Sequence, residues 1–197
     1  MDVVNQFILN PKYHEVLSIL KGLRNGLVYG AKVRFPHALV MTFLFRSGSL
    51  RNKVRLILQA TRAHAQNLGS FVVIYKTLML VQRYLAGQKE ASYHAFLAGL
   101  VGGYVVFGEN TNINNQIVMY LFSRVAIGLA KLAVTRKVVE EPHRPFPLFA
   151  ALVWGLVMWL FRHEQSTIQP SLRASMQYLY VDSNQWQSLR NLLWHNK

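Results

Sequence analysis

Residues 95–108 read Ala-Phe-Leu-Ala-Gly-Leu-Val-Gly-Gly-Tyr-Val-Val-Phe-Gly without one charge, and Ala95, Gly99 and Gly103 recur at every fourth position. On a helix that spacing puts them on one face. Two adjacent glycines inside a helix in water cost about 1 kcal/mol each relative to alanine. In lipid, a seam of small residues lets a second helix backbone come close, and that packing offsets the cost. Gly22, Gly26 and Gly30 repeat the same spacing upstream. The two seams predict an all-α chain held together by close helix contact, with a tight crossing in a soluble core as the alternative.

Composition leaves that choice open. A hydrophobic share of 52% and a mean hydropathy of +0.17 suit either a polar membrane bundle or an apolar soluble protein. Charge says more: 22 Lys+Arg face 8 Asp+Glu, a formal +14. The basic residues lie between apolar blocks, where they anchor helices at anionic headgroups, and no nucleic-acid-binding motif accompanies them. Membrane lipids, and not nucleic acid, are therefore the expected partners. Cysteine is absent, which removes disulfides, thiolate metal sites and cysteine nucleophiles. The seven histidines include no His-x-x-x-His pair, the carboxylates are scattered, and no phosphate-cradling glycine loop occurs. No enzyme activity, cofactor or metal is expected. The first ten residues lack the pattern of a secretory signal or a mitochondrial presequence, so targeting information is expected inside the chain.

Taken in order, the chain predicts an N-terminal amphipathic segment (1–21), a bundle of four to five membrane helices (22–161) and an amphipathic tail (162–197). Pro11 opens a helix over 12–23. Residues 22–45 read as one membrane helix kinked at Pro36. A long helix follows over 53–86, then the glycine helix, a helix over 116–134, and an uncharged run over 146–161 with Trp154 and Trp159. No uncharged run reaches the roughly 18 residues of an unambiguous span.

The 53–86 helix carries a stripe at alternating three- and four-residue steps: Arg55, Gln59, Arg62, Gln66, Gly69, Val73, Lys76, Leu80 and Arg83. Two readings fit it. The helix lies on a surface with that face solvated, or it spans and turns Arg55, Gln59, Arg62, Gln66 and Lys76 toward a polar groove. Arg124 falls near mid-bilayer if its helix spans. Its partner is Glu109 or, alternatively, backbone carbonyls and the polar stripe.

Four blocks carry a family resemblance: residues 20–46, Val106-Phe-Gly-Glu-Asn110, residues 145–148 with 153–156, and residues 166–172 with Tyr178-Leu-Tyr180. Over nearly its whole length the chain resembles the peroxisomal branch of the Tim-type translocase-subunit superfamily. The resemblance implies a multi-pass protein of the peroxisomal membrane, inserted after synthesis by the import receptor peroxin-19. Ala98-Gly99 with Gly103 matches the end of the superfamily signature. Ala91 and Gly87 stand where its upstream arginine and aspartate would be, so only the glycine seam is carried over, as packing residues.

Three functions follow as expectations. The first is a non-enzymatic scaffold or partner subunit packed through Gly22/Gly26/Gly30 and Ala95/Gly99/Gly103, with a homo-oligomer among its assemblies. The second is a transporter whose cationic groove takes anionic metabolites or polypeptide segments. The third is a peripheral basic helical protein on anionic surfaces.

Overall fold

The computed structural model describes residues 2–193, and every regular element among them is a helix. Residues 194–197, the end of the expected amphipathic tail, lie outside the described residues. The chain divides into two units, 1–128 and 129–197, the boundary falling inside one helix.

The first unit begins with a short helix, α1 (Asp2–Ile8). The Asn10 side chain then accepts from the Lys12 N–H, and Pro11 opens a single 3-10 turn. α2 (His14–Phe45) follows as one helix of 32 residues. Residues 14–21 are thus continuous with the glycine seam, not a separate helix, and the helix runs through Pro36. Packing outweighs intrinsic propensity here, since three glycines are held helical against a neighbour. Ser49 caps α3 (Leu50–Leu85) by accepting from the Asn52 N–H. That helix stops in a Schellman motif. Gly87 adopts φ +63°, its N–H reaches the Tyr84 carbonyl, and the Gln88 N–H reaches that of Arg83.

α4 (Ser92–Phe107) is apolar but only 16 residues long, about 24 Å. α5 (Asn112–Thr135) is opened by Thr111, whose hydroxyl accepts from the Asn114 N–H. The antiparallel pair α2/α3 forms the heart of this unit, and α4 packs on α3.

The second unit carries α6 (Pro145–His163), α7 (Pro170–Tyr180) and the short α8 (Leu189–Leu193). Prolines at its first turn start α6. Phe161, Ile168 and Met176 form a small core at the α6–α7 corner, supported by Val157 and Leu160.

Burial shows which solvent this fold suits. Among the described residues only seven hydrophobic side chains are buried, three of them alanines. A water-soluble domain of this length would bury roughly 70% of the surface its unfolded chain exposes. α5 and α6 are long and apolar enough to cross a membrane, with mean hydropathies of 1.8 and 1.5, yet their apolar windows are 0% and 6% buried. The bare apolar flanks are the surface that hydrocarbon covers.

Candidate functional site

The α2/α3 contact is set by how near two backbones can come. Ser18, Gly22, Gly26, Gly30, Arg34, Ala38 and Thr42 follow one another at four-residue steps along α2, and all are buried or half-buried. A methyl group on Gly26 would lie 2.8 Å from the Gly69 Cα and 2.9 Å from the Leu68 carbonyl oxygen. One on Gly30 would lie 2.7 Å from the Ala65 Cα. At Gly22 the obstruction is a side chain, Val72 Cγ1 at 2.7 Å. Successive steps of four residues form one ridge, and small residues on both helices let such ridges interlock.

Polar side chains pin the ends of this seam. The Lys76 ammonium donates to the Ser18 carbonyl at 3.0 Å and to its hydroxyl at 3.1 Å. Arg83 pairs with Glu15, the one ion pair among the described residues. Lys76 and Arg83 also line a cavity of about 360 Å³ beside His14 and Glu90.

On α4 the packed row is His94, Ala98 and Gly102, not Ala95, Gly99 and Gly103. The correction is a shift of one residue, which on a helix is a rotation of about 100°. Its cause lies on α3. A methyl on Gly102 would lie 3.0 Å from the Phe71 ring, so glycine at that position makes room for the aromatic. Phe71 also stacks with Tyr75 and meets Phe107 at 5.9 Å between ring centroids. His94 is 2% exposed; its Nδ1 accepts from the Ala91 N–H, and its carbonyl accepts from Gln82. Ala95 is exposed, while Gly99 and Gly103 are half-exposed with no obstruction within 4 Å of a methyl built on them.

The expected polar groove does not assemble within this unit. Arg55, Gln59, Arg62 and Gln66 are exposed on α3, whereas Lys76 bonds Ser18 on α2. A period of 3.5 drifts about 20° per heptad on a 3.6-residue helix, so a stripe of four heptads turns through roughly 80°. Arg124 meets neither Glu109 nor the stripe. Its guanidinium lies 5.0 Å from the Tyr120 ring centroid, one turn back, a cation–π contact. Glu109 instead contributes its backbone carbonyl, which accepts from the Asn114 amide at 3.1 Å.

That carbonyl belongs to a polar node absent from the sequence reasoning. Asn114, 5% exposed, accepts from the Asn67 amide at 2.9 Å, which ties the start of α5 to the middle of α3. The signal was weak: Asn114 sits three residues after a capping threonine in a run of turn-forming residues. The α2 row beyond Gly30 was also missed, although its signal is plain: four-residue counting leads directly to Arg34, Ala38 and Thr42.

The family model described as Tim17/Tim22/Tim23/Pmp24 family matches residues 12–123, more than half of the chain. The chain is 56% identical over 196 residues to peroxisomal membrane protein 4 of Homo sapiens, covering 99% of this chain and 92% of that protein. Identity to peroxisomal membrane protein 4 of Bos taurus is 53% over 195 residues, covering 98% and 92%. No solved structure matches the chain significantly.

Proposed function

The chain belongs to the Tim17/Tim22/Tim23/Pmp24 family and is a multi-pass protein of the peroxisomal membrane, and we propose that it works there as a non-enzymatic partner subunit offering the open face of α4 to another membrane helix. One observation carries this reading. Gly99 and Gly103 lie on a face that nothing in their own unit approaches, although each glycine costs helix stability. A backbone brought against that face supplies the compensating contact. The face admits a second copy of this chain as readily as a different subunit.

Replacing Gly99 and Gly103 together by leucine is expected to abolish higher assemblies in mild detergent, read by light scattering after size-exclusion chromatography. Monomer stability should not fall, because a methyl at either position meets nothing within 4 Å and leucine is the better helix former. Because the chain has no cysteine, Ala95→Cys adds a clean cross-linking reporter for contact between copies. Assembly that survives the double substitution would leave the face without a partner and end the proposal.

The exposed row Arg55, Gln59, Arg62 and Gln66 favours transport as a second reading, in which another element supplies the opposite wall of a cationic groove. Liposomes separate the two. Equal leak of small anions with and without protein is the expected result for a partner subunit. A protein-dependent flux cut by Arg62→Ala would establish the groove instead.

A further inference from the structure

A cavity of about 590 Å³ opens where α2, α3 and the start of α5 meet. Its charge is one-sided: Arg34, His37 and Arg46 line it, and no Asp or Glu does. Gln59 and Gln116 add neutral hydrogen-bonding groups, while Met41 and Leu56 present hydrocarbon. Arg34 is the most constrained member. Its Nη1 donates to the Gln116 Oε1 at 3.3 Å, and its Nε is buried with no acceptor among the described residues. A buried guanidinium N–H without an acceptor is unfavourable, and the planar fork of arginine matches phosphate oxygens two at a time. Ligand sites commonly enclose about 300–1,000 Å³, so the space suits a headgroup and the first part of its chains.

We infer that this cavity binds the phosphate group of an anionic phospholipid, with Arg46 at the rim pairing the phosphate oxygens, Arg34 adding positive charge deeper along the same wall, and the Met41/Leu56 side taking the hydrocarbon. The combination of cationic and apolar lining favours an amphiphile over a fully hydrated ion. Diffuse attraction by the formal +14 would make all basic residues equivalent. A site makes them unequal. The inference needs only the membrane setting and stands apart from the partner-subunit reading.

The test uses the full chain in phosphatidylcholine nanodiscs, with and without phosphatidic acid, read by native mass spectrometry of retained lipid and by thermal unfolding. Phosphatidic acid is expected to be retained preferentially and to raise the unfolding temperature. Arg46→Gln, at the exposed rim, is expected to lower retention roughly tenfold, the size of one lost charge-assisted hydrogen bond. Arg51→Gln, which removes the same charge from the first turn of α3 outside the cavity, should leave retention unchanged. Arg34→Gln should lower retention less than Arg46→Gln, and the rim variant remains informative if loss of the Gln116 bond disturbs folding. Equal losses from Arg46→Gln and Arg51→Gln, or no preference for phosphatidic acid, would overturn the inference. A lipid-free arm with inorganic phosphate identifies the source. Stabilisation there that depends on Arg46 and matches the lipid effect would overturn phospholipid as the ligand in favour of a soluble phosphate.

Discussion

Gly26→Ala is expected to destabilise the α2/α3 pair by roughly 2–4 kcal/mol, although it replaces a poor helix former by the best one. The added methyl would sit 2.8 Å from the Gly69 Cα and 2.9 Å from both the Gly69 nitrogen and the Leu68 carbonyl oxygen. All three are backbone atoms, so no side chain can rotate away. The helices must separate, and contacts along the whole row weaken together. The same substitution at other glycines gives a ranked series. Gly30→Ala meets the Ala65 backbone and should approach the Gly26 value. Gly22→Ala meets Val72 and Lys76 side chains, and Gly69→Ala meets those of Leu23 and Leu27, so both should cost less. At Gly99 the space is open, and alanine there should gain up to about 1 kcal/mol in the monomer. Unfolding by sodium dodecyl sulfate, followed by circular dichroism, measures the series. A Gly26→Ala protein as stable as Gly99→Ala would show that the two backbones are not in contact.

Outside the α2/α3 glycine row, Asn114→Leu should be the most damaging change, at roughly 2 kcal/mol. It breaks the bond from Asn67 and releases the Glu109 carbonyl, leaving both groups without their partner. Side-chain hydrogen bonds between membrane helices average only about 0.6 kcal/mol. The larger figure here comes from the stranded groups. Asn67→Leu leaves the Glu109 bond intact and should cost roughly half as much. The double variant should cost clearly less than the two changes added, since neither asparagine is then left facing an unfilled partner. Strict additivity in this cycle would mean that α5 is not tied to α3 through these residues.

How well the chain could be read depended on the kind of signal. The all-helical class and the membrane setting were legible from Gly22/Gly26/Gly30 and from apolar runs such as residues 146–161. Both signals depend on composition and spacing within one helix. The end of the 53–86 helix was legible for the same reason, since a glycine at 87 acts locally; its start lies three residues earlier than expected, at Leu50, because Ser49 caps it from within the expected loop. Residues 14–21 were not legible as part of α2, because the glycines that follow read as a break until a partner helix is known to press on them. Asn114 was hidden likewise: as sequence it is one turn residue among several.

The residues alone determined that this chain needs small side chains where helices meet, and that it carries cationic groups with few carboxylates to neutralise them. Only the tertiary structure decided which glycines do the meeting. Residues 94–103 offer two rows one position apart, and either can form a smooth face. The ring of Phe71 on α3, distant in the chain, needs the space at Gly102 and so turns Gly99 and Gly103 outward. The polar stripe was decided the same way: its spacing sets the drift around α3, but where α2 and α4 lie determines which members end up outside. A helix periodicity defines faces, and only the neighbours choose among them.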